Sequence, residues 1–233
     1  MALNYSTLCK GCWNQMHMPV PLRGPLSIPF RAFGVRPSGM NPNLCTICEM
    51  AFSRLMKART VTLDATILFA DLRAYTELSQ SKPPSEMALL LDQFYDQSAE
   101  AIWQHDGLLN KTIGDAVMAI FNFPIRHHDH PRLAVDAARQ MQKAFEGSRD
   151  EFGVGIGIHT GEISFGEFGR SHRDLTAIGT VVNMASRVQS AARPGEILVT
   201  QAVRDAVGAD FADGLGAEYT LKGFDTPLRL YPV

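Results

Sequence analysis

The sequence lacks several features that would assign the protein to a particular class. No apolar run approaches the roughly 20 residues of a membrane-spanning helix, and the N-terminus has no apolar core of the signal-peptide kind. Lysine and arginine total 22 against 24 acidic residues, a formal net charge of −2, so there is no basic field for nucleic acid. We therefore expect a cytoplasmic protein with no membrane span and no nucleic-acid partner.

Cysteine is scarce, and its distribution divides the chain. The 233 residues contain four cysteines, in two Cys-x-x-Cys pairs: Cys9 with Cys12, and Cys45 with Cys48. The residues between the pairs are rich in Pro, Gly and Arg and cannot bury much apolar surface alone. Four thiolates suit tetrahedral zinc, although the spacer is longer than in common zinc patterns. Iron or an iron–sulfur cluster is one alternative, and disulfides or free thiols are another. A cytosolic location disfavours disulfides.

This distribution predicts two domains. Residues 1–59 would form a Cys-rich, zinc-binding module that ends in a linker helix over residues 47–58, where apolar residues recur at helical spacing. Residues 60–233 would form the second domain. Its order of strand, helix, two strands, helix and strand predicts an α+β fold, an α/β sandwich with a ferredoxin-like split-βαβ core and added strands.

Two stretches in the second domain, each with an aspartate at a predicted strand end or turn, suggest a metal site. Val61 to Thr76, VTLDATILFADLRAYT, predicts a strand that ends at Asp71 and a helix that opens at Leu72. Asn110 to Phe121, NKTIGDAVMAIF, predicts a hairpin with Gly114-Asp115 at its turn. If the hairpin lies beside the first strand, Asp71 and Asp115 meet and can hold divalent ions. The alternative for each aspartate is an ordinary turn or helix-capping residue.

A third stretch is rich in alternating glycine. Phe152 to Ile158 predicts a strand, Thr160-Gly161 a turn, and Glu162 to Glu167 a returning strand. Glycine at every second position of the first strand implies a close neighbour, either a packed helix or a second chain.

Five blocks, in this order, resemble the catalytic domain of class III nucleotidyl cyclases: ILFADLRAYTELS, NKTIGDAVMAIF, GIGIHTGEISFGEFG, TAIGTVVNMASRV and LKGFDTPLRLYPV. The resemblance runs from about Val61 to Val233 and is strongest to bacterial adenylate cyclases. It implies an enzyme of intracellular signalling that converts ATP to 3′,5′-cyclic AMP and pyrophosphate, with two Mg²⁺ or Mn²⁺ ions per site. It also implies a homodimer, because in this family each of the two sites lies between two catalytic domains.

The resemblance also assigns roles to residues. Asp71 and Asp115, with the backbone carbonyl of Leu72, match the metal ligands. Lys111 and Thr176 match the purine-reading positions, Lys222 matches a triphosphate-binding lysine, and Asn183 and Arg187 match the transition-state pair. The metal ligands of a site come from one subunit and the base-reading and transition-state residues from the other. Where the family often has Gly-Phe-Thr, this chain has Ala74-Tyr75-Thr76.

Elementary chemistry supports two of these roles. Asn183 and Arg187 are four residues apart, so one helix face presents both side chains to one ligand. The Lys111 ammonium can donate to adenine N1 but would repel the N1–H of guanine, whereas the Thr176 hydroxyl can donate or accept. The alternatives are a cyclase for GTP or a pyrimidine nucleotide, and a degenerate domain that binds nucleotide and only transmits a signal.

Overall fold

The computed structural model describes residues 5–148, 152–169, 171, 173–208 and 215–233. The helices are α1 (Lys10–Met16), α2 (Ile28–Ala32), α3 (Thr46–Ala58), α4 (Tyr75–Ser81), α5 (Pro84–Gln104), α6 (His130–Ala144), α7 (Thr180–Ala191) and α8 (Gln201–Val207). The strands are β1 (Val61–Arg73), β2 (Leu108–Ile113), β3 (Ala116–Phe121), β4 (Gly153–Phe168), β5 (Asp174–Ile178), β6 (Ile197–Thr200), β7 (Ala217–Tyr219) and β8 (Leu228–Pro232). Within these described ranges, no helix is both long and apolar enough to cross a bilayer.

The described strands join one eight-stranded sheet. Its order is β2-β3-β1-β4-β6-β8-β7, and β5 pairs with β4 beside this path. Among the first four strands, each pair of neighbours in the sheet is antiparallel; along the chain, α5 connects β1 to β2 and α6 connects β3 to β4. This is the split-βαβ arrangement with added strands, so the predicted α+β fold class is confirmed.

The first strand is longer than the sequence suggested. Its ladder with β4 continues to Arg73, which pairs with Gly153, so Asp71 lies inside the strand and not at its end. The helix that follows begins at Tyr75, because Ala74 adopts a left-handed conformation with φ 64° and separates strand from helix. The prediction of a helix opening at Leu72 was therefore wrong by three residues.

The glycine-rich stretch is one strand and not two. β4 runs through Thr160 and Gly161 without reversing, because β1 pairs with it continuously from Val61 to Arg73. Gly161 (φ 155°) is required by a close approach, since a Cβ there would lie 2.9 Å from a methyl group of Val181. The predicted turn was wrong, because glycine here accommodates a packed helix.

Helices cover both faces of the sheet. One core cluster joins it to α5, α6 and α8 and is centred on the fully buried Leu68, Phe94 and Ile102. On the opposite face, α3 and α7 pack against Ile67 and Phe69. The alternation of β1 therefore sends odd-numbered side chains toward α7, and Asp71 belongs to that set.

The predicted close neighbour of the alternating glycines is α7. A Cβ at Gly157 would lie 2.0 Å from the backbone nitrogen of Gln189, so a side chain there would collide with helix backbone. Gly155 lies beneath the Arg73 side chain in the same way, since a Cβ there would lie 2.3 Å from Nε. These contacts hold α7 against the part of the sheet that carries Asp71.

Candidate active site

Asp71 and Asp115 lie side by side, as the hairpin prediction required. Asp71 pairs across the ladder with Ala116, the residue after Asp115, and the Leu72 N–H donates to the Asp115 carbonyl at 3.0 Å. Gly114 supplies the positive φ of 60° that the turn needs, and its carbonyl accepts a hydrogen bond from the Tyr95 hydroxyl. The backbone of β1 and the hairpin turn are thus fixed to each other.

The electrostatics of this pair suit a cation. Burial raises the pKa of Asp71 to about 6, and the negative charge of Asp115 is the second cause of this rise. The positive charge of Arg73 acts in the opposite direction and lowers the pKa. The nearest Arg73 nitrogen lies 3.7 Å from Asp71, and its guanidinium also donates to the Gln189 carbonyl of α7. Two adjacent carboxylates with one raised pKa hold excess negative charge, which oxygen-seeking divalent cations relieve. The donor set therefore fits Mg²⁺ or Mn²⁺.

The predicted base-reading residues meet between β2 and β5. Lys111 forms an ion pair with Asp174 at the start of β5. Its neighbour Asn110 donates to the Leu175 carbonyl at 3.0 Å and accepts from the Thr176 hydroxyl at 3.3 Å. Lys111 and Thr176 thus occupy neighbouring strands, and the Asn110 side chain holds those strands together.

The predicted phosphate-binding residues meet in a separate cavity. Asn183 and Arg187 are exposed on α7, and together with Lys222 they line a cavity of about 320 Å³. The other lining residues are Thr180, Gly223 and Phe224. An amide, a guanidinium and an ammonium with no carboxylate among them form a surface suited to a polyphosphate.

The helix α7 separates this cavity from Asp71. Its buried residues, Val181, Ala185 and Val188 among them, face the sheet, whereas Asn183 and Arg187 lie on the exposed side. Asp71 is on the sheet face that α7 covers. The acidic pair and the cationic cavity of the same chain therefore lie on different sides of α7, with Asp71 near its C-terminal end, where Arg73 donates to the Gln189 carbonyl.

Comparisons with known proteins identify the family. The family described as the adenylate and guanylate cyclase catalytic domain matches residues 58–231. The chain belongs to this family of class III nucleotidyl cyclases. The match covers the sheet as far as Tyr231 and all the site residues predicted in the second domain, but not the four cysteines.

Individual relatives include both kinds of cyclase. An adenylate cyclase of Anabaena cylindrica is 32% identical over 211 residues, covering 83% of this chain and 41% of that protein. The crystal structure of adenylyl cyclase CyaB from P. aeruginosa has TM-score 0.68 and 28% identity, covering 75% of this chain and 95% of that one. The crystal structure of the guanylyl cyclase Cya2 has TM-score 0.68 and 26% identity, covering 74% of this chain and 92% of that one.

Other relatives are longer proteins of unassigned activity. An uncharacterized protein of Mycobacterium tuberculosis is 33% identical over 169 residues, covering 70% of this chain and 31% of its own length. The chain thus spans about a third of the curated relatives it matches first. The comparisons establish a nucleotidyl cyclase domain and leave the choice of base to chemical argument.

The four cysteines converge outside the matched region. Each pair begins a helix: the Cys9 thiol accepts from the Cys12 N–H at the start of α1, and Cys45 accepts from Cys48 at the start of α3, both at 3.4 Å. The four sulfurs lie within 4.8 Å of one another, with three separations of 3.5–3.7 Å. Tetrahedral zinc with bonds of about 2.3 Å places its sulfurs about 3.8 Å apart. The donors and their spacing therefore fit one metal ion.

Their electrostatics point the same way. A hydrogen bond with Cys48 lowers the pKa of Cys9 to about 5, whereas burial raises the pKa of Cys12 to about 12. The cluster therefore concentrates negative charge on one sulfur and keeps a neighbouring thiol protonated. A bound divalent cation would release such protons, because thiolates are its ligands.

Two acidic residues, one beside the base-reading cluster and one beside the cysteine-bearing segment, were missed by the sequence analysis. Asp174 is one; its place two residues before Thr176, on the same strand face, was the signal that could have found it. Asp106 is the other. It is 5% exposed and binds Lys10, Asn43 and His127, and only the fold brings these partners together.

Proposed function

We propose that the protein is an adenylate cyclase that converts ATP to 3′,5′-cyclic AMP and pyrophosphate at the interface of a homodimer. The observation that carries the proposal is the division of one constellation into two parts on each chain. Asp71 and Asp115 form an acidic pair, and Asn183, Arg187 and Lys222 form a cationic cavity that α7 separates from it. Neither part can act on a nucleotide without the other.

A second copy supplies the missing part. A two-fold axis that brings the acidic pair of one subunit to the cationic cavity of its twin creates two equivalent sites. Family membership supports this arrangement, since the chain contains one such catalytic domain.

Each residue then has a role in attack of the ribose 3′-hydroxyl on the α-phosphorus. Asp71, Asp115 and the Leu72 carbonyl would hold two Mg²⁺ or Mn²⁺ ions, which when bound acidify the 3′-hydroxyl and neutralise the triphosphate. Lys222 binds the triphosphate and Asn183 orients the ribose and phosphate. Arg187 stabilises the charge that develops on the α-phosphoryl oxygens, a contribution typically worth on the order of 10²–10³ in rate. Pyrophosphate leaves as the new ester bond forms.

The adenine preference rests on Lys111. Adenine offers an acceptor at N1, to which the ammonium donates, whereas guanine carries a hydrogen there. Thr176 can serve either base, so it adds little discrimination. Because Cya2 is a guanylyl cyclase of similar fold, the second candidate is cyclisation of GTP.

A product assay with the full chain tests this proposal. Purified protein is incubated with ATP, GTP, CTP or UTP in Mg²⁺ or Mn²⁺, and the products are identified by mass spectrometry. The proposal predicts cyclic AMP as the main product. Mainly cyclic GMP would assign the second candidate, and no cyclic nucleotide from any substrate would indicate a degenerate domain.

For the N-terminal part we propose a zinc-binding module over residues 1–59, attached to a catalytic domain over residues 60–233. The sulfur spacing supports a single ion over an iron–sulfur cluster, whose thiolates bind different iron atoms around an inorganic core. Elemental analysis should find one zinc per chain, whereas iron with visible absorbance would indicate a redox centre. An ATP substrate and reduced thiols both accord with a cytoplasmic location.

A further inference from the structure

The ion pair between Lys111 and Asp174 is unexplained by the roles given so far. Asp174 is 48% exposed and Lys111 is 26% exposed at the side chain. An ion pair of such exposure contributes little to folding, with a usual range of about 0–1 kcal/mol. The ion pair should therefore matter less for folding than for how Lys111 binds the nucleotide base.

Strand geometry places this pair in the base-reading cluster. Asp174 and Thr176 are two residues apart on β5, so their side chains share one face of that strand. The β2–β3 ladder shifts register between Leu109 and Lys111, a bulge that contains Asn110. Because of this bulge the consecutive residues Asn110 and Lys111 both reach β5, where regular alternation would point them to opposite faces. The bulge therefore directs Lys111 to Asp174.

The pairing has a chemical consequence at the base. An ammonium has three donors, so Lys111 can keep its bond to Asp174 while a second hydrogen points at a ring nitrogen. A carboxylate only accepts, so an oxygen of Asp174 can accept from the 6-amino group of adenine but would repel the 6-oxygen of guanine. The Thr176 hydroxyl, by contrast, can donate or accept and cannot tell the two bases apart.

We propose that Asp174 is a specificity-determining residue: it orients the Lys111 ammonium and, as an acceptor-only group, makes this side of the pocket favour adenine over guanine. This inference rests on the proposed function. It deepens that proposal by moving the second base-reading role from Thr176 to Asp174.

The test compares four full-length proteins: wild type, Asp174→Asn, Asp174→Glu and a matched control, Glu167→Gln. Glu167 forms another ion pair of the same β4–β5 segment, 3.3 Å from Arg173, and is not part of the base-reading cluster. For each protein, kcat and KM are measured with ATP and with GTP. Binding of 3′-deoxy-ATP and 3′-deoxy-GTP, which have no 3′-hydroxyl to react, is measured by calorimetry.

Asp174→Asn should reduce the ATP-to-GTP preference in both kcat/KM and affinity by about tenfold, because a hydrogen bond to a charged group is worth roughly that factor. The change should appear chiefly as a higher KM for ATP, with an unchanged melting temperature. Asp174→Glu should retain most of the preference, and Glu167→Gln should match wild type.

Two results would overturn the inference. One is an ATP-to-GTP ratio in Asp174→Asn equal to that of wild type. The other is an equal loss with both nucleotides together with a lower melting temperature, which would give Asp174 a structural role only. A wild-type protein that forms no cyclic nucleotide would contradict the proposed function instead, and the deoxynucleotide affinities would still decide the role of Asp174.

Discussion

Leu72 donates its backbone N–H to the carbonyl of Asp115 at 3.0 Å, and this bond extends the β1–β3 ladder to the acidic pair. It links the last part of β1 to the hairpin turn at the point where each carries its aspartate. Because the link is between backbone atoms, replacing either carboxylate leaves the positioning intact. Substitutions at Asp71 therefore report on charge and ligation, with the backbone arrangement unchanged.

Asp71→Asn should reduce cyclase turnover by a factor on the order of 10² or more, because it removes the charge of a proposed metal ligand. Asp64→Asn is the matched control, since Asp64 is on the same strand and 66% exposed at its side chain. It should retain activity close to wild type. Equal turnover of wild type and Asp71→Asn would remove Asp71 from the metal site.

The raised pKa of Asp71 predicts the direction in which the stability of metal-free protein changes with pH. Its folded value of about 6 exceeds the usual unfolded value of about 3.9, so the folded state holds the extra proton between these values. The free energy of unfolding of wild type, relative to Asp71→Asn, should therefore fall as pH rises from about 4 to 6 and then level off. Denaturant titrations measure this difference, and Mn²⁺ at pH 7 should reverse the fall. A relative stability that rises with pH would contradict the assigned environment.

Gly11→Ala should weaken the cysteine site although alanine favours helices. A Cβ at this position in α1 would lie 2.9 Å from the Cys48 sulfur and 2.9 Å from a methyl group of Leu44. We expect zinc to be lost at lower chelator concentration than in wild type, and the melting temperature to fall. Asn14→Ala, an exposed change on the same helix, is the control. Unchanged zinc retention in Gly11→Ala would show that the two cysteine pairs need not approach so closely.

Asp106→Asn should loosen the cysteine-bearing segment from the sheet. The Asp106 carboxylate binds Lys10 beside Cys9, and also His127, and although burial opposes ionisation these bonds hold the pKa of Asp106 below its usual value. Losing the charge should cost about 1.5–3 kcal/mol of unfolding free energy. Chemical denaturation measures the cost, with the exposed Asp96→Asn on α5 as control, expected to change by less than about 0.5 kcal/mol. Equal midpoints for both variants would contradict this role.

The sequence predicted what depends on local pattern. The βαββαβ order, the Gly114-Asp115 turn and the helix carrying Asn183 follow from periodicity and turn chemistry, and the structure contains them. The errors at Gly161 and Leu72 have one cause, which is strand pairing. β1 and β4 are hydrogen-bonded to each other along their shared length, so β1 continues past Asp71 and β4 continues past Gly161, although each residue taken alone predicts the end of a strand.

Other features depend on tertiary contacts and had no local signal. The Asp106 cluster joins residues from α1, the α5–β2 connection and the loop before α6. The pairing of Lys111 with Asp174 depends on a bulge in β2 and on β5 lying beside it. Spacing within a sequence does not reveal which side chains a curved sheet brings together.

The most direct test of the central claim mixes two inactive variants. Asp71→Asn lacks a proposed metal ligand, and Arg187→Ala lacks the proposed transition-state cation, so each homodimer should have two defective sites. If the site is shared between subunits, a mixed dimer contains one intact site, and an equal mixture after subunit exchange should recover about a quarter of wild-type activity. Recovery near that value is the predicted result; a mixture that stays as inactive as either variant alone would contradict a site built from two chains.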